Sequence, residues 1–250
     1  MQDPAGAFVF VAALDDPLGL DGGDDFIVPE VNLIGAMAVG VPSGANQRGR
    51  LNIPSRREFG PWELSDFNGG ADADAEPDSP QAVHDFRSNP VPLVVSERIT
   101  CEMDYNPTAG EAGWVLFWFT NAPIVPAPNP AMFSVRVTGT VTMVVTTWTN
   151  TSITFVDALQ AGRYAVLGAR FQSAGLVATR FRFRDSVWQP GQLGVDDEND
   201  RQHPMFRYGG MGVLGEFEHN TPPSVDFLSI SADTAPTGVL DLVMVRKGLG

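Results

Sequence analysis

Gly210–Gly215 reads GMGVLG, the G-x-G-x-x-G spacing that lets a backbone cradle a pyrophosphate where a helix begins. That chemistry needs a buried strand running into the turn and a helix leaving it. Upstream lies DENDRQHPMFRYG and downstream EFEHNTPPSV, where Pro222 and Pro223 forbid a useful helix. The glycines are therefore expected to serve a turn or close packing. The run ADADAEPD sets Asp72, Asp74, Glu76 and Asp78 at alternate positions, a spacing that can wrap calcium. It lacks the turn glycine and terminal bidentate glutamate of an EF-hand loop, so a solvated loop is expected, as for DGGDD and DDEND.

His84, His203 and His219 are scattered, with no HxH or HExxH arrangement to offer two imidazoles to one metal. Ser173, in RFQSAG, lacks the first glycine of a nucleophile elbow, and Cys101 falls within a strand with no evident histidine partner. CEMDYN places Glu102 and Asp104 on one side of a strand, as a β-sandwich glycosidase would, but the motif does not continue to a further glutamate. No catalytic, cofactor-binding or metal-ligating residue is assigned, and no enzyme activity is expected. A carbohydrate-active or carbohydrate-binding β-sandwich is the alternative reading.

TRFRFRD alternates Phe181 and Phe183 with Arg180, Arg182 and Arg184. Rings and guanidinium groups then lie on opposite sides of a strand, whereas a base-stacking platform wants them together. Cross-strand ion pairing is the expectation, with Glu216 and Glu218 of GEFEH as partners.

These residues sit on elements of one kind. Met132–Thr149, MFSVRVTGTVTMVVTTWT, alternates with period two: Phe133, Val135, Val137, Val141, Met143 and Val145 on one face, Ser134, Arg136 and threonines on the other. Gly139 marks a bend or bulge. GWVLFWFTN is apolar on both faces, so Trp114–Phe119 belongs at a sheet centre or against a second layer or subunit. Further strands are expected at Ala7–Ala13, Val31–Val41, Pro92–Cys101, Ile153–Val156, Tyr164–Phe171, Leu176–Arg184, Gly212–Glu218, Val225–Ile230 and Gly238–Val245. Phe155–Ala161 could form a turn of helix. Many short strands between Pro, Gly and Asn turns predict an all-β antiparallel sandwich.

The 250 residues, 43% of them apolar, suffice for a substantial core. Net charge is -14, and the basic residues are fifteen arginines and Lys247 alone. An acidic surface repels phosphate, so direct nucleic-acid binding is not expected. A single cysteine excludes an intrachain disulfide framework, and the N-terminus lacks the basic region and long apolar stretch of an export signal. Synthesis and folding in a cytoplasm are expected. No apolar run approaches the ~20 residues of a membrane helix.

The last third, from RYAVLGARFQSAG through GEFEHNTPPSVDFLSISAD, resembles the major coat proteins of tailless icosahedral viruses of bacteria or archaea. The resemblance rests on short strands, Gly-Pro corners and a closing PPSVDFLSI to GVLDLVMV pair. It implies a jelly-roll subunit that forms a homo-oligomeric icosahedral shell in the virion, with other virion proteins or an internal membrane as further partners. The expected architecture is one jelly-roll-like domain over 1–250 with a long polar insertion at about 42–91. A compact double jelly roll is the alternative, although sixteen strands would leave the insertion little room.

Overall fold

The computed structural model describes residues 9–10, 25–28, 31–40, 48–59, 62–63, 83–104, 113–121, 131–145, 147–186, 189–195, 202–229 and 231–247. The chain divides into two compact units, one of residues 1–76 and 81–123 and the other of residues 77–80 and 124–250. The sequence reading counted one domain with an insertion.

Unit 1 holds β1 (Val9–Phe10), β2 (Asp25–Ile27), β3 (Asn32–Gly40), β4 (Arg48–Asn52), β5 (Trp62–Glu63), β6 (His84–Asp85), β7 (Val91–Pro92), β8 (Arg98–Asp104) and β9 (Gly113–Thr120). One sheet runs β1-β8-β4-β5, with β2 also on β8. The other is centred on β3, which pairs with β6, β7 and β9. Val28, Leu33, Ala36, Leu51, Val91 and Ile99 fill the space between them, with Phe117 and Phe119 packed alongside. The two-faced apolar strand is β9, which among the described strands pairs with β3 alone and turns Phe117 and Phe119 to this core. Within the segment read as an insertion, Leu51 and Val91 belong to this core.

Unit 2 holds β10 (Phe133–Gly139), β11 (Thr149–Phe155), β12 (Gly162–Gln172), β13 (Leu176–Arg182), β14 (Gly191–Leu193), β15 (Gly215–Glu218), β16 (Ser224–Ser229) and β17 (Thr237–Lys247). The sheet order is β14-β13-β16-β11-β10-β17-β12-β15. First pairs with last, second with second-last and so inward: β10 with β17, β11 with β16, β12 with β15 and β13 with β14, all antiparallel. Such nesting is one long hairpin rolled up on itself. Additional pairs β12–β17 and β13–β16 complete two four-stranded sheets, β10-β17-β12-β15 and β14-β13-β16-β11. β11 joins them, since Thr149–Ser152 pairs with β16 and Ile153–Phe155 with β10.

Apolar residues alternate inward from both sheets. Val135, Val137, Ile153, Val166, Phe171, Phe181, Val225, Phe227, Leu240 and Leu242 form one buried core. Phe171 packs edge-on to Phe227 at 5.3 Å and against Phe181 at 5.9 Å. Burying such rings is favourable by about 25 cal/mol for each Å² removed from water.

Two local expectations are corrected. The strand expected over Met132–Thr149 ends at Gly139, where the backbone turns to bond Pro236 (Gly139 N to Pro236 O, 2.9 Å), and a new strand starts at Thr149. Phe155–Ala161 forms bends and no helix, because β11 runs to Phe155 and β12 starts at Gly162.

Candidate assembly surfaces

Each sheet of unit 2 carries one buried aspartate on its outer side, flanked along its strand by apolar residues. Asp226 lies between the inward residues Val225 and Phe227 of β16 and is fully buried. Register sets it opposite Arg180 on β13 and Asn150 on β11. Arg180 Nε donates to Asp226 Oδ2 at 2.7 Å, Arg182 Nε to Oδ2 at 2.7 Å, and Asn150 Nδ2 to Oδ1 at 2.6 Å. The Arg180 guanidinium also lies 4.3 Å from the centroid of the Trp148 ring. Burial pushes the Asp226 carboxyl upward, and the hydrogen bonds from Arg180, Asn150 and Arg182 together outweigh it, leaving the group below its ordinary value.

Asp241 repeats the pattern on β17, between the inward residues Leu240 and Leu242. Arg207 grips it with both ends of its fork, Nε to Oδ2 at 2.7 Å and Nη2 to Oδ1 at 2.9 Å. Tyr208 N donates to Oδ2 at 3.0 Å and Ser134 Oγ to Oδ1 at 2.7 Å. Burial again acts upward, and the bonds from Arg207, Tyr208 and Ser134 bring the group below its ordinary value. The result is a strap: residues 202–214 lie across the sheet, with Gln202 Nε2 bonded to Ala169 O, Gly209 N to Leu167 O and Leu214 N to Val166 O, each at 2.8 Å. Met205 and Phe206 of the strap are themselves buried. Gly168 makes this approach possible, since a Cβ there would sit 2.7 Å from Phe206 O and 2.8 Å from Arg207 Cα.

What remains for outside contact is different in character. Arg163 pairs with Glu216 at 2.5 Å and Arg246 with Glu218 at 3.4 Å, all substantially exposed. Phe133, Val156 and Val245 are 38%, 48% and 51% exposed. They lie at the start of β10, just past the end of β11 and near the end of β17. Behind them a ring ladder runs Phe133 to Tyr164, Tyr164 to Phe217 and Phe217 to Phe155, with spacings of 6.1, 5.8 and 5.8 Å.

The expected pairing of Arg180, Arg182 and Arg184 with Glu216 and Glu218 is corrected. β13 and β15 belong to opposite sheets, so the first two arginines meet Asp226, while the glutamates meet Arg163 and Arg246 on β12 and β17. Arg184 is exposed beyond the end of β13. Phe181, Phe183 and Phe217 do point together into the core. GMGVLG forms a turn that leads into a strand instead of a helix, with Gly212 at φ 76°. Gly215 lies flat on Phe183, where a Cβ would come within 2.4 Å of the ring.

His203 caps the short 3-10 turn Pro204–Phe206, its Nδ1 accepting from Met205 N at 3.3 Å. His219 follows β15, its Nδ1 accepting from Gly162 N at 3.5 Å, and His84 is on β6 in unit 1. Ser173 Oγ donates to the Asp233 carboxylate, which also accepts from Ala174 N, so Ser173 braces a turn. Glu102 and Asp104 fall on β8 opposite Arg50 and Arg48 in register, and Cys101 is on the same strand. Asp72, Asp74, Glu76 and Asp78 lie outside the described residues. Among the described residues no group of three His, Cys, Asp or Glu could hold a metal, and no helix is long and apolar enough to cross a membrane.

The nested pairing and two four-stranded sheets define unit 2 as an antiparallel eight-stranded jelly roll. The whole chain is similar to the crystal structure of the major capsid protein P2 from Bacteriophage PM2, at 11% identity over 96% of this chain and 94% of that one, with a TM-score of 0.27. The jelly roll follows from the strand order of unit 2. No protein-family profile and no curated protein matches the chain.

Proposed function

We propose that this chain is a structural virion protein that assembles with copies of itself into a closed icosahedral shell, after synthesis in the host cytoplasm. The observation that carries the reading is the jelly roll with its interior filled by its own side chains: Tyr164, Phe171, Phe181 and Phe227 are fully buried between the sheets. A roll with a solid interior acts through its outside, and shell building is a role this architecture supports. The exposed Phe133, Val156 and Val245 offer apolar contact to a second copy. Other virion proteins or an internal membrane remain as further partners of the same shell. Nucleic acid is a poor fit, because Arg180 and Arg182 are engaged by Asp226 and the interleaved rings are buried. Sedimentation velocity tests the reading: the 26.9 kDa chain is expected to shift to large, discrete species as concentration rises. A single monomer boundary at every concentration and salt would count against it.

A further inference from the structure

Thr179 and Gln192 face the interior of the roll although both are polar. Register sets Thr179 of β13 opposite Phe227 of β16 on one side and Gln192 of β14 on the other. Phe227 belongs to the core, and directly opposed residues share a face, so Thr179 and Gln192 point inward with it. They are 1% and 2% exposed. On either side of the pair the two strands are closed by Gly194 N to Val177 O and Phe181 N to Pro190 O, each at 2.9 Å, so the backbone fixes the side chains as neighbours. Yet Thr179 Oγ1, Gln192 Nε2 and Gln192 Oε1 are buried and meet no hydrogen-bond partner among the described residues, each other included. Gln202 Oε1 is a further buried acceptor of this kind, and its Nε2, 3.5 Å from Leu193 O, sets it beside the same strand. A buried polar group left unmet costs its full desolvation, so such a cluster calls for an occupant.

We propose that Thr179 and Gln192 form a buried water site, whose water is the side-chain link between β14 and β13. The donors and acceptors decide the occupant. Gln192 Nε2 only donates, Gln192 Oε1 only accepts, and Thr179 Oγ1 does both. Water answers all three, since it donates and accepts, whereas a metal cation would satisfy the oxygens and leave the amide N–H groups stranded. Buried water typically makes about three hydrogen bonds to groups the protein leaves unmet, and these two side chains present that many atoms. The position gives the water its role. β14 spans only Gly191–Leu193 and ends its sheet, so a bridging water adds a polar tie where main-chain bonds are few. The assignment rests on register within unit 2 and is independent of whether the chain forms shells.

A high-resolution crystal structure of the full chain tests it directly. A solvent peak is expected within hydrogen-bond reach, about 2.7 to 3.2 Å, of both Thr179 Oγ1 and the Gln192 amide. Thr179→Val supplies an independent measurement, because it keeps the branched shape and strand preference of threonine and removes only the hydroxyl. With a water bound there, the variant should lower the folding equilibrium constant about five-fold in urea unfolding, the effect of one lost hydrogen bond. A hydroxyl that meets nothing would give the opposite sign, since deleting it relieves a desolvation cost. Absence of the peak would overturn the assignment, as would a direct bond between Thr179 and Gln192 or a Thr179→Val chain more stable than the parent. A peak about 2.4 Å from oxygen atoms alone would mark a cation and overturn it too.

Discussion

Two aspartates decide how the outer faces of the roll are held. Asp226 and Asp241 are each buried at the centre of a sheet, and each engages arginine on a neighbouring element. A buried pair contributes little compared with an apolar substitute, but removing one partner strands the other charge. Asp226→Ala should therefore destabilise unit 2 by about 3 to 5 kcal/mol, since Arg180 stays buried with its counter-charge gone. Urea unfolding measures this, and a loss under 1 kcal/mol would show that the hub is dispensable. Both carboxyls lie below their ordinary value of 3.8. A depressed carboxyl contributes stability that is full above the unfolded value and is lost as pH falls through the folded one. The prediction is a stability plateau at neutral and mildly acidic pH, with a decline beginning near 3.8 and continuing below it; Asp241→Asn should flatten part of that decline in pH-dependent thermal unfolding. The signal for both residues was present in the sequence. PPSVDFLSI and GVLDLVMV each carry a lone aspartate inside an apolar strand, and a charge there must be paired. Which arginine answers it depends on strand order, and that is why TRFRFRD was matched to the wrong acids.

At the scale of elements, period-two alternation located most strands of unit 2, because each is half-buried on a two-sheet sandwich. Tyr164–Phe171 and Leu176–Arg184 correspond to β12 and β13, and Val225–Ile230 and Gly238–Val245 to β16 and β17. Alternation carries no information on partners. It also reads through a corner, as at Gly139, because Met143 on the far side is buried in the same core. Strand β4 and the strap 202–214 were not legible: RGRLN is polar apart from Leu51, and the strap is held by backbone bonds and one aspartate. The strap's dependence on close approach gives a test. Gly168→Ala places a methyl against the backbone at Phe206 and Arg207, and should cost about 1 to 3 kcal/mol by overpacking. Hydrogen exchange should then rise at Gly209 and Leu214, whose amides bond β12, while the amides of β16 remain protected. Uniform exchange at all these sites would mean that the strap is not a separate layer.

For the whole molecule, the central claim is that a roll with a filled interior and exposed apolar residues on its outside builds shells. Val245 separates assembly from folding, because it is 51% exposed near a strand end. Val245→Asp should leave thermal unfolding within about 0.5 kcal/mol of the parent, as exposed substitutions do, while reducing association in sedimentation. Equal association of parent and variant would move the interface elsewhere. The most direct measurement is electron microscopy of the purified protein across protein concentration, ionic strength and divalent-ion content. The account predicts closed particles of uniform diameter with repeating capsomers formed by this chain. A field of dispersed monomers under every condition, from protein that is folded by circular dichroism, would contradict it.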